Sequence, residues 1–421
     1  MPRLLHFVLF TFILMAFVLA VNVRLGIPSS GTLIVPDEYA TIQSAVNAAN
    51  PGDLVYVKSG TYNENIGVNT TLLLVGEDPQ DTVINGSVTV ISANMTLTGF
   101  RMFGDISIGI DEDFYKSGNG YNFGAGPCNI FGNNITGGVG IYFSSDCNVY
   151  DNSLQYGIDM REANQNNITS NIMGGVNTVY SDGNNYYSNI MSSGVQTYQG
   201  SYTNIVGNTL NGTLEMDGGG YINIAGNTMD ALIFYGYASN ITGNNITSSS
   251  SVGIELGFGS TDQDRVVGNI IANHVTSIDW DSGCIGNDTF LNNNFINNTQ
   301  QLAISGSSPH ASVVAWDNSS EGNYWSDYTT KYPNAVNNGG IWNTPYIIEA
   351  NNTDHYPLVD PVFIQITQPK PIQLTAPTPP DPPAQAQIPE YQTIPLLLFI
   401  LTCSIGITYK VKHQRLETTP I

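Results

Sequence analysis

Asn129-Ile-Phe-Gly-Asn-Asn-Ile135 is followed by Asn148-Val-Tyr-Asp-Asn-Ser-Leu154 and then by Asn167-Ile-Thr-Ser-Asn-Ile-Met173. The frame they share is Asn-apolar-x-(Gly/Asp/Ser)-Asn-x-(Ile/Leu/Met). It returns at Asn185–Met191, Asn204–Leu210, Asn223–Met229 and Asn240–Ile246, with looser copies at Arg265–Ile271 and Thr289–Phe295. The second Asn falls at 133, 152, 171, 189, 208, 227, 244, 269 and 293, so the steps are 19, 19, 18, 19, 19, 17, 25 and 24 residues. A repeat of two packed helices needs more than about thirty residues, and the framework of a leucine-rich repeat is missing. Short β-branched runs set between Gly and Asn suit one coil of a solenoid. The spacing therefore predicts an all-β fold, a single-stranded right-handed parallel β-helix.

Stacked coils place equal positions about 4.8 Å apart. Asn then lies on Asn, each side-chain amide donating to the next, as in the amide ladders of cross-β structure. Asn also tolerates the left-handed backbone of a sharp corner. Asn133, Asn152, Asn171, Asn208, Asn227 and Asn244 are accordingly expected to be structural. The apolar columns through Ile130, Val149 and Ile168, and through Ile135, Leu154 and Met173, are expected to fill the lumen. Cys128 and Cys147 occupy one column on adjacent coils, within the Cα range of a disulfide. A bridge outside the cell and a pair of stacked buried thiols both satisfy that spacing, and Cys284 has no mate in the pattern.

The flanks suggest how the solenoid is displayed. Arg3 and the apolar run Leu4–Val21 read as a signal peptide over 1–20 or an N-terminal anchor. Ile394–Tyr409 is apolar and precedes Lys410, Lys412, His413 and Arg415, the pattern of a transmembrane helix (392–409) with a cytoplasmic tail (410–421). The Pro-rich stretch from Gln368 to Pro389 falls in a stiff linker, 363–391. Between these lie an N-terminal cap with the first coils (31–127), regular coils (128–315) and a C-terminal cap (316–362). A single-pass cell-surface protein follows, its ectodomain outside, and twelve Asn-x-Ser/Thr triplets suit that exposure. The formal charge of −22 opposes a nucleic-acid partner, which requires a basic surface.

A bare β-helix end exposes lumen and unpaired edge, so it needs a cap. Ile42, Ala45, Val46 and Ala49 follow helical spacing, and Pro51-Gly52 ends the run. Ala40-Thr-Ile-Gln-Ser-Ala-Val46, Pro51-Gly-Asp-Leu-Val-Tyr-Val57, Gly60-Thr-Tyr-Asn-Glu-Asn65 and Leu74-Val-Gly-Glu77 resemble the opening of pectin-lyase-like β-helix proteins. Glu321-Gly-Asn-Tyr-Trp-Ser-Asp-Tyr328, Asn343-Thr-Pro-Tyr-Ile-Ile348 and Asp354-His-Tyr-Pro-Leu358 resemble the terminal cap of NosD-like proteins, among which archaeal surface-anchored relatives are numerous. Trp325 is a structural residue by that resemblance. The resemblance also implies a copper-binding accessory role, but His274, His310 and His355 are widely separated and have no Met/His cluster beside them. Relatives carry an Asp-rich, calcium-loop-like stretch after the Trp motif, whereas Thr329–Trp342 contains no carboxylate. No metal and no cofactor are expected.

A second strand in each coil offers an outward column, read as Tyr142, Asp159, Asn177, Gln196, Glu215, Phe234, Glu255 and Asp279. Two residues further along lie Arg161, Tyr198, Asp217 and Asp281. Tyr142, Asp159, Tyr198 and Phe234 are the candidate binding residues, the aromatics for stacking on sugar rings. Glu215, Asp217, Glu255, Asp279 and Asp281 are the candidate acids for a hydrolase or lyase, at separations of roughly 5 and 10 Å that overlap those of paired-carboxylate glycosidases. Alternation alone also places solvated carboxylates on such a face. The expected function is non-catalytic binding of a polysaccharide or envelope glycan, with a glycan-active enzyme or a copper accessory as alternatives.

Overall fold

The computed structural model describes residues 31–109, 125–249, 251–257, 263–281, 288–305, 314–349 and 352–366. The expected signal peptide, transmembrane helix, cytoplasmic tail and most of the Pro-rich linker lie outside these residues, as do Cys284 and His310. Among the described residues no helix is long and apolar enough to cross a membrane.

Each coil gives one strand to each of three parallel sheets. Sheet A runs through thirteen strands from Thr32–Val35 to Thr289–Leu291, and sheet B through thirteen from Gly60–Tyr62 to Tyr324–Trp325. Sheet C has twelve, from Ile66–Val68 to Gln300–Ser305. The architecture is a right-handed parallel β-helix. Each repeat motif begins on sheet A and ends on sheet B, so its second Asn turns the corner between them. Asn129, Asn148, Asn167, Asn185, Asn204, Asn223 and Asn240 pair in unbroken register. The two longer steps add residues on both sides of sheet C, mostly before it (between Asn244 and Ile254, and between Asn269 and Ile278), and the ladders continue past both.

Alternation drives the strands inward. Ile130, Val149, Ile168, Tyr186, Ile205, Ile224 and Ile241 are buried, as are Ile135, Leu154, Met173, Met191, Leu210, Met229 and Ile246. Cys128 sits over Cys147, one residue before the paired Asn129 and Asn148, and both are buried free thiols. The bridge is thus not formed. The hydrogen bond with the neighbouring Cys147, then burial, push the Cys128 thiol well above its usual range, which keeps it protonated and unreactive.

Within the corner the Asn side chains form a continuous internal chain. Asn189, for example, donates from its backbone N–H to Asn208 Oδ1 (2.9 Å) and from Nδ2 to Asn208 Oδ1 (3.0 Å) and to the Ile168 carbonyl (2.8 Å). Its own Oδ1 accepts the backbone N–H and Nδ2 of Asn171. The pattern starts where Phe100 N–H meets Asn133 Oδ1 and passes through Asn244, Asn269 and Asn293 to Asn323. A second chain on the outer face of sheet A links Asn129, Asn148, Asn167, Asn185 and Asn204 through their side-chain amides.

Helix α1, Ile42–Ala48, closes the N-terminal side with Ile42, Ala45 and Val46 buried. Thr41 and Ser44 form a capping box, and the Glu64 carboxylate takes the free N–H groups of Ile42 and Gln43. The strand Thr32–Val35 precedes this helix and pairs with Asp53–Val57, extending sheet A by one strand that sequence patterning did not mark.

At the other end Trp325 is sandwiched between Phe295 and Tyr346, each ring stacked nearly parallel with its centroid 4.3 Å away. Its Nε1 donates to Asp354 Oδ2 at 2.9 Å, and Asn323 N–H donates to the same oxygen at 2.7 Å. Asp354 therefore receives the internal Asn chain and the cap together. Burial outweighs these donors and raises its pKa to about 6. Folding thus favours the protonated form, so the associated stability is full below the ordinary value near 3.8 and is lost as pH rises through about 6. Wild-type protein should gain about 2 kcal/mol relative to Asp354→Asn between pH 7.5 and 4.5. Urea melts of both at the two pH values check this, and parallel pH responses would contradict it.

Candidate functional site

Sheet C carries a groove of about 1140 Å³ across the coils that contain Ile106, Val139, Ile158, Val176, Val195 and Thr213. Its floor is an outward column in strict register: Gly140, Asp159, Asn177, Gln196 and Glu215. One wall is the corner from sheet B, where Gly138, Gly157, Gly175 and Gly194 stand immediately before the strands. A Cβ on Gly194 would come within 1.8 Å of the Thr213 carbonyl, so this wall is bare backbone because adjacent coils leave no room for more. Tyr156, exposed by 62%, and Ser192 and Ser193 stand on the same side.

The floor is internally bonded. Asn177 Nδ2 donates to Asp159 Oδ1 at 2.7 Å, the Tyr142 hydroxyl lies 3.4 Å from Asp159 Oδ2, and Arg161 Nε is 3.3 Å from that oxygen. Gln196 Nε2 donates to Glu215 Oε2 at 3.1 Å. Each carboxylate thus has an amide beside it, and Asp159 stands three coils from Glu215, roughly 14 Å along the axis. Groups at that distance cannot share one glycosidic bond. They can offer hydrogen bonds along an extended chain.

The structure corrects the outward column in two places. Tyr142 pairs with Arg161, and Gly140 holds the position beside Asp159. The Tyr142 ring still reaches the floor, because it folds over Gly140, where a Cβ would approach its ring within 2.5 Å. Phe234 is fully buried in the lumen, and Ile233 takes the outward place beside Glu215 and Glu255. Three apolar residues in a row, Leu232-Ile-Phe234, conceal which one points out; the paired strand fixes it. Tyr198 is exposed, in the column of Tyr142 and one coil before Asp217.

The remaining acids divide. Ile233 separates Glu215 from Glu255, whereas Glu255 pairs directly with Asp279, and Asp281 lies two residues further along, opposite Ser305. Tyr235 donates to Glu255 Oε1 at 2.6 Å, and burial together with Glu255, Glu215 and Asp217 pushes its hydroxyl far up, so it remains a donor. One oxygen of Asp279, Oδ1, is shielded and has no hydrogen-bond partner. Asp105, Tyr156, Ser192, Ser193, Thr213 and Tyr235 were not singled out from sequence. The column of glycines at 138, 157, 175 and 194 was the available signal for the groove wall.

Residues 214–330 match the family described as periplasmic copper-binding protein (NosD). No curated protein matches the chain. Among solved structures, the catalytic unit of a thermostable GH87 α-1,3-glucanase from Streptomyces thermodiastaticus is similar at 14% identity and TM-score 0.49, covering 71% of this chain and 70% of that one. A mannuronic acid-specific family 6 polysaccharide lyase from human gut microbiota has 12% identity and TM-score 0.43, over 70% and 87% of the two chains. The Streptococcus pneumoniae surface protein and adhesin PfbA has 15% identity and TM-score 0.40, over 63% and 94%. The likeness to the NosD family thus covers residues 214–330, within a right-handed parallel β-helix.

Copper does not fit the described residues. They contain no group of three or more His, Cys, Asp or Glu able to hold a metal. His274 is buried with Nε2 3.1 Å from the Ile246 carbonyl, and His355 Nδ1 is 3.0 Å from Asp317 in the C-terminal cap.

Proposed function

We propose that this protein binds a glycan along the sheet C groove without cleaving it, displayed at the cell surface by the apolar segment 392–409. The observation that carries the reading is the floor from Asp159 to Glu215, two amides flanked by an acid at each end, at one coil per step. Such a line presents donors and acceptors at intervals of about 4.8 Å, beside the aromatic faces of Tyr142 and Tyr156. Among the residues lining the groove Asp105, Asp159 and Glu215 are acidic and none is basic, which favours a neutral polysaccharide over a uronate chain. The protein from residue 31 to 366, screened against immobilised glycans, is expected to retain neutral chains and release no fragments. Asn177→Ala and Gln196→Ala should each weaken retention about tenfold, since each removes a hydrogen bond and unbalances a carboxylate. Unchanged retention in both variants would refute the groove.

A second reading has its own observation. Glu255 and Asp279 stand one coil apart, near the separation of about 5 Å used by retaining glycosidases, and Asp279 Oδ1 lacks a partner. If the protein hydrolyses glycans, Glu255→Gln should abolish fragment release while retention persists. Hydrolysis that survives this substitution would remove Glu255 from the chemistry.

A further inference from the structure

On the corner between sheets C and A, away from the groove, tyrosines stand in line. Tyr202 and Tyr221 occupy the same position on adjacent coils, two residues before the paired Asn204 and Asn223. Their rings are parallel within 5°, with centroids 5.2 Å apart, and Tyr237 meets Tyr221 edge-on at 5.8 Å. All three are exposed, Tyr202 by 61%. Tyr202 and Tyr221 also hold left-handed backbone, φ 57° and 58°. That conformation is unfavourable for a bulky residue by about 1 kcal/mol, and an exposed ring does little for the core in return. The corner imposes this backbone on the whole column, since Gln165, Gly183 and Ala238 hold it too, φ 58°, 68° and 52°.

Gly183 interrupts the ladder. Gln165 occupies the column on its other side, because Asn167 pairs with Asn185. The Cα atoms of Tyr202 and Gln165 are thus two coil steps apart, roughly 10 Å, and the position between them carries no side chain of its own. The Gln165 side chain leans over Gly183, where an added Cβ would lie 3.3 Å from its Cγ, and it bounds the gap on the side away from Tyr202. The Tyr202 face turned toward Gly183 thus has a glycine and a flexible amide side chain opposite it, where Tyr221 covers its other face. Gln165 borders the gap, and the Ser201 carbonyl accepts the Gly183 N–H while Ser201 N–H donates to Asp182 Oδ1, so amide, hydroxyl-bearing and carboxylate residues surround it. A flat apolar face ringed by polar groups matches a pyranose, whose C–H face stacks on an aromatic ring while its edge carries hydroxyls. A protein partner would leave these polar groups to be desolvated around a single ring.

We propose that the gap over Gly183 is a separate sugar subsite, in which one pyranose unit of a neutral glycan stacks on Tyr202 and takes the place of the missing ring. The inference shares the glycan class with the groove but depends on different residues, so the two can fail independently.

The test measures binding of neutral gluco-, manno- and galacto-hexasaccharides, following tyrosine ring signals by NMR during titration. Wild-type and Gln196→Ala protein should show Tyr202 ring shifts with at least one sugar. Tyr202→Ala should weaken that corner interaction about tenfold, the size of one aromatic stacking contact, and Tyr202→Phe should preserve it. Gly183→Tyr should fold, since two tyrosines already occupy this column with the same backbone, and should abolish the interaction by filling the gap. The proposal is overturned if no sugar shifts the Tyr202 signals, or if Gly183→Tyr binds like wild type. Loss of groove retention alone, with corner shifts intact, would refute the groove and leave the subsite standing.

Discussion

Replacing Asn189 by Leu is expected to destabilise the solenoid by roughly 2–6 kcal/mol, although the two side chains have nearly the same shape. Asn189 is fully buried. Its removal takes the side-chain partner from Asn171 N–H and from the Ile168 carbonyl, while Asn208 Oδ1 keeps the backbone N–H of residue 189. A buried group without its partner costs about 1–3 kcal/mol, and two are created at once. The matched control is Asn185→Ala in the outer chain. Asn185 also bonds its neighbours Asn167 and Asn204, but it is only half-buried and water can replace those bonds, so less than about 1 kcal/mol should be lost. Urea unfolding of both variants gives the comparison. Similar costs at the two positions would mean that the internal chain is no more than decoration on an apolar core. Because coils touch only their neighbours, hydrogen exchange should quicken first in the strands around Ile168, Tyr186 and Ile205.

The second large effect is at the C-terminal cap. Trp325→Ala removes the middle ring of the Phe295–Trp325–Tyr346 stack and a donor to Asp354. Loss of a buried Trp costs about 3–5 kcal/mol. Here it also uncovers the final strands of sheet B, an edge that can pair with another chain. Both lower melting temperature and association are expected, the latter measured by light scattering near 37 °C. Trp325→Phe, which keeps stacking but loses the N–H, should fall between. A monomeric variant with wild-type melting would show that the last coil is closed by other contacts.

How much of this was legible follows the chemistry of repetition. The Asn column and its apolar neighbours recur at a fixed spacing, so coil, lumen and corner could be read from seven residues at a time. The capping helix was readable too, because Ile42, Ala45 and Val46 obey a different period. The outward face of sheet C was harder. Leu232-Ile-Phe234 has no alternation to reveal its phase, and only pairing with Glu215 and Glu255 shows that Ile233 faces out and Phe234 in. Val139-Gly-Ile-Tyr142 misled similarly, since an outward glycine looks like a gap. The groove wall was hidden for another reason: glycines at 138, 157, 175 and 194 look like ordinary turn residues until the closeness of successive backbones is measured. Asn323, the last amide before Asp354, was concealed within the Trp motif, thirty residues beyond Asn293.

The internal Asn chain is directional. Each member's backbone N–H donates to the side chain of the next toward the C-terminus, each Oδ1 receives from the N-terminal side, and only at Asp354 does the chain meet a group that accepts without passing anything on. The molecule is therefore built like a polymer with a terminator. A duplicated coil inserted between Asn133 and Asn293 would receive and forward the same amide contacts, so the solenoid could lengthen there by whole units. An added coil beyond Asn323 would separate the chain from its terminating carboxylate and would have to bring another. Natural variation in the length of such proteins should accordingly fall in the interior, with the carboxylate and its tryptophan carried unchanged at the end.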